Sequence, residues 1–192
     1  MENTQTCCNP EACLCIFLII YFTVFTVLMP VSVTLFVVNL PLSPDFRVDS
    51  LALSNLSLSS SSITATWAVD FTVLNPYKKT TMYFDKLKAA VYYGRRPSTL
   101  LSTAAVQPFL VPPAGNRTAI RATLVAVGAY LDEKLVEGIN VSQGSRVVFD
   151  VRVSARARRD YWRVYCDDLA VGMNSSGGGN LIGGPRECFV RW

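Results

Sequence analysis

Ile63-Thr64-Ala65-Thr66-Trp67-Ala68-Val69-Asp70-Phe71-Thr72-Val73 is the stretch that decides the fold. Ile63, Ala65, Trp67, Val69, Phe71 and Val73 share one parity, and Thr64, Thr66, Ala68, Asp70 and Thr72 take the other. Successive side chains of a strand point to opposite faces, so this pattern predicts a strand with one buried face. A second stretch repeats it. Val147, Phe149, Val151, Val153, Ala155 and Ala157 face one way, with Asp150, Arg152, Ser154, Arg156 and Arg158 on the other side. Each apolar face needs a partner layer, which an antiparallel arrangement supplies while leaving the polar faces in water.

Weaker strand patterns occupy 47–53, 82–93, 117–127 and 161–171, with a short one at 189–192. Turn-rich stretches at 55–62, 112–115 and 175–179 separate them. Six or seven strands at this spacing predict a mainly β domain, an antiparallel β-sandwich over residues 45–192. One short helix is expected at 129–137, with Tyr130, Leu131 and Leu135 facing inward and Gly138 supplying a left-handed stop.

On the N-terminal side the pattern changes to continuous apolar. No charged residue occurs from Ala12 through Pro44. A helix of about 24 residues starting at Cys13 would rise roughly 36 Å, enough to cross a hydrocarbon core of about 30 Å with tilt. Pro30 removes a backbone donor inside it, so a kink is expected between Thr26 and Pro30. The layout expected is a cytoplasmic tail at 1–12, a single transmembrane signal anchor at 13–37, and then the sandwich. The rival reading is a cleaved secretory signal. That reading calls for a basic n-region and an apolar run of about 7 to 15 residues, whereas no Lys or Arg precedes this longer run. The 192 residues, 51% of them hydrophobic, suffice for one domain plus an anchor. Val190-Arg191-Trp192 is not the hydrophobic tail of a glycolipid-anchor signal, so the anchor is expected at the N-terminal end alone.

Flanking charge does not decide orientation, since Glu2 and Glu11 precede the span and Arg47 is the first basic residue after it. Four glycosylation sequons do favour a side. Asn55, Asn116, Asn140 and Asn174 each open an Asn-x-Ser/Thr triplet beyond the span, where only an extracytoplasmic domain would be modified; the competing reading is chance in a Ser/Thr-rich domain. Cys7, Cys8, Cys13 and Cys15 crowd the span's near end and are candidates for S-acylation, or are simply tolerated thiols. A four-thiolate zinc site fits less well, because Cys13 and Cys15 enter an apolar helix two residues apart. Cys166 and Cys188 are either a disulfide closing a loop of about 22 residues, worth about 3 kcal/mol, or two buried free thiols.

The sequence contains no His. That excludes Ser-His-Asp and Cys-His nucleophile systems, His general bases and His-based zinc sites. Gly177-Gly178-Gly179 and Gly183-Gly184 lack the setting of a phosphate cradle. Asp167-Asp168 and Asp132-Glu133 are the available carboxylate pairs; neighbours in a strand point to opposite faces, so Asp167 and Asp168 read as solvated surface. No enzymatic activity and no cofactor are expected. Arg152, Arg156, Arg158, Arg159 and Arg163, in a chain of net charge +4, form the one basic cluster. On an extracytoplasmic domain its anionic partners would be lipid headgroups or acidic wall polysaccharide, not nucleic acid, and the plain alternative is the solvated face of a sheet.

Between the alternating stretches lies Asn75-Pro76-Tyr77-Lys78-Lys79-Thr80-Thr81-Met82-Tyr83-Phe84-Asp85, which continues to Val91-Tyr92-Tyr93. An Asn-Pro that closes one strand, followed by Tyr and Asp opening the next, resembles the signature of the late embryogenesis abundant group 2 domain. The short Cys-bearing tail, the anchor and a Val-x-Cys strand at Val164 to Cys166 make the whole layout similar to the plant NDR/HIN-like branch; the basic, Pro-rich tail common in that branch is missing here. The resemblance implies an immunoglobulin-like sandwich at the plasma membrane. It also implies a role in pathogen response with hypersensitive cell death, or in abiotic stress, exerted through a protein partner not identified by the sequence. Asn75, Pro76, Tyr83 and Asp85 are then determinants of folding rather than a binding site.

Overall fold

The structure, a computed structural model, describes residues 10–38, 42–94, 98–113, 116–141, 146–157, 160–174 and 177–191, the side chains of 10–13, 36–38 and 141 excepted. The chain divides into a helical unit, Met1–Pro41, and a β unit, Leu42–Trp192.

The helical unit runs from α1 (Pro10–Thr23) through a π-helical turn at Val24–Leu28 into α2 (Met29–Val38). Its segment Leu14–Leu35 is long and apolar enough to cross a membrane, and every side chain along it is exposed. The irregularity expected from Pro30 takes the form of the widened turn just before it. Pro30 has no N–H for the carbonyl four residues back, and a π turn shifts the ladder to accommodate that loss. The hydroxyls stay inside the helix: Thr26 Oγ1 donates to Phe22 O at 2.7 Å, Ser32 Oγ to Leu28 O at 2.7 Å and Thr34 Oγ1 to Pro30 O at 2.7 Å. Those polar groups are therefore satisfied without water, as a hydrocarbon environment requires.

The β unit contains β1 (Asp45–Ser59), β2 (Ser62–Leu74), β3 (Met82–Tyr93), β4 (Thr99–Val106), β5 (Phe109–Val111), β6 (Arg117–Tyr130), α3 (Glu133–Val141), β7 (Arg146–Ala157), β8 (Asp160–Met173), β9 (Gly179–Leu181), β10 (Arg186–Glu187) and β11 (Phe189–Arg191). All pairings are antiparallel, in the order β4-β3-β7-β8-β9-β1-β2-β6, with β5 on β3, β10 on β1 and β11 on β8. The sheet curls nearly into a barrel. Its end strands come together where Ser102 Oγ donates to Val125 O at 2.6 Å. The two halves are joined through three-residue β9, where a Cβ on Gly179 would sit 2.6 Å from Gly172 O and 2.7 Å from Val171 Cγ1, so only glycine lets the strands approach.

Both alternating stretches lie as their parity demands. The apolar set of β2 is no more than 1% exposed and that of β7 no more than 2%. The two halves meet ring to ring: Trp67 packs edge-on against Phe149 at 5.8 Å, and Phe46 likewise against Phe84 at 6.0 Å. Full burial of each such side chain contributes about 1.5–3 kcal/mol. The indole N–H groups of Trp67 and Trp162 are buried with no acceptor among the described residues.

Elsewhere the structure corrects the reading of the sequence. The stretch from Asn55 to Ser62 is not a loop: β1 runs on to Ser59, interrupted by a bulge where Asn55 has φ 55°, and a tight turn at Ser60–Ser61 returns the chain into β2. The helix begins later than expected, at Glu133, because β6 stays paired with β2 up to Tyr130, which is exposed rather than inward. Asp132 caps α3, its Oδ1 accepting from Lys134 N at 3.0 Å. Gly138 lies within α3 and does not end it. Strands β4 and β5 have no alternating signal, β4 being Thr99-Leu100-Leu101-Ser102-Thr103-Ala104-Ala105-Val106 with only Leu101 and Ser102 buried.

Asn75, 1% exposed, ties the end of β2 to two other segments. Its Nδ2 group donates to Thr80 O at 2.8 Å, Pro112 O at 3.0 Å and Val111 O at 3.1 Å, while its Oδ1 accepts from Tyr77 N at 2.9 Å. Pro76 follows directly and cannot continue the ladder. Asn75→Ala leaves the buried Val111 carbonyl without this donor and removes three further hydrogen bonds, and should lower unfolding stability by about 2–4 kcal/mol. Thermal unfolding of the solubilised full chain, with exposed Asn140→Ala as the control, checks this; equal midpoints for the two variants would contradict it.

Candidate anion-binding face

The outward side chains of β3, β7, β8 and β11 are brought into rows by strand register. Lys88 pairs with Ser154, Ser154 with Arg163, and Arg163 with Arg191, which makes one row across four strands holding three cations and a hydroxyl. The adjacent row is Ala90, Arg152, Tyr165 and Phe189, and the row on the other side contains Lys86, Arg156 and Tyr161. Neighbouring strands lie about 4.8 Å apart and outward positions along a strand about 7 Å apart, so cations and rings interleave at short range.

The cations differ in how they are held. Arg156 grips Asp85 with both nitrogens, Nε donating to Oδ1 at 2.9 Å and Nη2 to Oδ2, and the Tyr161 ring lies 5.9 Å away. Asp85 is the bulged residue where the register between β3 and β7 shifts, which brings its carboxylate to Arg156. Arg152 lies 4.2 Å over the Tyr92 ring and its Nη2 donates to Ser98 Oγ at 2.9 Å; its Nε is buried without a partner among the described residues. Lys88, Arg163 and Arg191 belong to none of the ion pairs among the described residues, which are Arg47–Asp49, Arg121–Asp70 and Arg156–Asp85. The guanidinium of Arg191 stands 5.0 Å over Phe189, which is 58% exposed. A groove of about 310 Å³ runs along this face, with the small side chains of Ala90 and Ser154 between Lys88, Arg152, Arg163 and Tyr165.

On the opposite half of the sheet most charges are matched, Arg117 at the start of β6 being in none of the ion pairs among the described residues. On β1, β2 and β6, Arg47 pairs with Asp49 at 2.7 Å, Thr72 donates to Asp49, and Asp70 accepts from Arg121 at 2.6 and 2.9 Å and from Ser50 at 2.7 Å. At the far end of β7 and β8 the carboxylates collect. A bulge at Asp168, φ 58°, turns both Asp167 and Asp168 outward, contrary to strict alternation, and Asp168 N donates to Asp150 Oδ1 at 3.0 Å. Burial, reinforced by the Asp167 and Asp168 charges, pushes the Asp150 carboxyl up. Asp132 serves as the helix cap, and Glu133 is exposed in the first turn of α3.

The remaining residues singled out in the sequence fall as follows. Asn55, Asn116, Asn140 and Asn174 are all exposed. Asn174 is engaged in a turn, its Oδ1 accepting from Gly178 N at 2.8 Å. Cys166 and Cys188 form a disulfide. Cys15 is an exposed free thiol; Cys7 and Cys8, the Cys13 side chain, Arg158 and Arg159 lie outside the described residues. Tyr83 is half-exposed. Lys88, Arg191, Tyr165 and Phe189 were missed from the sequence, because only the register between strands distant in the chain puts them beside Arg163. No family model matches the chain, and a search of curated proteins finds no similar sequence.

The Arg156 hydrogen bond holds the Asp85 carboxyl below its ordinary value of 3.8, and Arg121 does the same for Asp70. A depressed folded value contributes stability that is present above the unfolded value and is lost as pH falls through the folded one. Asp85→Asn should therefore lower the thermal midpoint at pH 7, and the gap to the unsubstituted chain should narrow as pH falls below the ordinary value of 3.8. An equal gap across that range would contradict the assignment.

Proposed function

We propose that the chain is a non-catalytic, membrane-anchored protein of the late embryogenesis abundant group 2, NDR/HIN-like kind. In this reading one N-terminal helix stays in the plasma membrane of a plant cell, and the curled sheet, its halves facing each other as layers of an immunoglobulin-like sandwich, stands on the extracytoplasmic side. There it binds a protein partner in defence, including the hypersensitive response, or in abiotic stress. The observation that carries the reading is the helix Leu14–Leu35, apolar and exposed along its whole length, on a chain whose β unit has its own complete core. Retention as an anchor is favoured over a cleaved signal by that length and by the lack of a basic flank. The Cys166–Cys188 disulfide suits an oxidising compartment, and four exposed sequon asparagines suit glycosylation there. The buried Asn75 network and the Asp85–Arg156 pair support a structural role for those two motif residues.

A second reading is favoured by the cation row that joins none of the ion pairs among the described residues: binding of anionic lipid or acidic wall polysaccharide where the membrane meets the wall. Proximity labelling from the full chain on intact plant cells tests the first. Specific surface proteins should be enriched over a control carrying only residues 1–41 fused to the same label; identical recoveries from both would count against a protein-binding role.

A further inference from the structure

We infer that Lys88, Arg163 and Arg191, with Tyr165 and Phe189 beside them, form a binding site for a linear acidic polysaccharide of the polyuronate type. The inference rests on the second reading above and narrows it to one ligand class and one face.

Three features support the choice. The first is charge: Lys88, Arg163 and Arg191 stand together in one cross-strand row and take part in none of the ion pairs among the described residues, while on the opposite half of the sheet Arg47 and Arg121 are each matched to a carboxylate and Arg117 stands apart at the end of β6. The row spans about 15 Å at about 4.8 Å per strand, so it presents charge along a line, as a chain with one carboxylate per sugar does. The second is chemistry. Aromatic faces bind the C–H faces of sugar rings, and the row next to the cations offers Tyr165 and an exposed Phe189, with Tyr92 held under Arg152. The third is shape. The small residues Ala90 and Ser154 leave a groove of about 310 Å³ between Lys88, Arg152, Arg163 and Tyr165, a concavity in which a sugar ring can sit, with Arg191 and Phe189 one strand beyond it.

The nearby carboxylates define its limits. Asp85 is held by Arg156, and Asp150, Asp167 and Asp168 lie at the opposite end of β7 and β8, so a polyanion is steered away from that end and toward Lys88 and Arg191.

The test uses the full chain in nanodiscs of neutral phosphatidylcholine, with polygalacturonate as the immobilised probe. Binding is expected to weaken as salt rises from about 50 to about 300 mM, since exposed pairs are screened. The K88A/R163A/R191A variant should bind about tenfold more weakly with a flatter salt dependence. R121A on the opposite half should bind like the unsubstituted chain. Y165A/F189A, whose charges are intact, should weaken binding while keeping the salt slope, and fully methyl-esterified polymer should not bind. Equal binding by the triple variant overturns the proposal. So does capture by phosphatidylserine vesicles with none by polygalacturonate, a result that would assign the face to lipid instead. R163Q alone, which keeps side-chain bulk, should show a smaller loss in the same direction. Failure of the extracytoplasmic placement would be seen separately, as exposure of the domain to protease outside sealed microsomes with polymer binding in nanodiscs intact.

Discussion

The edge-on contact of Trp67 with Phe149 closes the structure. Trp67 belongs to the apolar row of β2 and Phe149 to that of β7, two strands well apart in the sheet order. Neither row can be buried unless the sheet curls until the two face each other, and burial of those rows is the largest favourable contribution on hand. The curl then dictates the rest. β9 is pinched to three residues around Gly179, β4 and β6 are brought together at Ser102 and Val125, and Asn75 knots the end where β2 leaves the sheet. The outer faces of the two halves are left to carry charge.

β2 and β7 were legible in the sequence because they keep one parity from end to end. β1, β3 and β8 do not. The buried positions of β1 change from Phe46 and Val48 to Leu51 and Leu53; those of β3 change from Met82 and Phe84 to Leu87, Ala89 and Val91; those of β8 change from Trp162, Val164 and Cys166 to Leu169, Val171 and Met173. Each change coincides with a bulge or register shift, and the extra residue hides the period of two. The same devices explain the misreadings. The Asn55 bulge made a long strand look like a loop, and the Asp168 bulge put two adjacent carboxylates on one side. Part of the cation face was legible as a run of arginines in β7 and β8. Lys88 and Arg191 were not, because their place depends on pairing across some sixty and twenty-eight residues of chain that local pattern does not encode.

The resulting surface is asymmetric in a way that bears on function. One half of the sheet pairs Arg47 and Arg121 with carboxylates of its own strands. The other has one strongly held pair, Arg156 with Asp85, beside a row of cations that meets no carboxylate among the described residues. The charged side chains of both faces are set in place by sheet register.

The measurement closest to the centre of this account is protease protection on sealed microsomes that contain the full chain, followed by glycosidase treatment after detergent release. The account expects residues from about Leu42 onward to survive protease added outside, to be digested once detergent is present, and to lose mass with glycosidase. Digestion of the β unit in sealed vesicles, with no change of mass on glycosidase treatment, would contradict it.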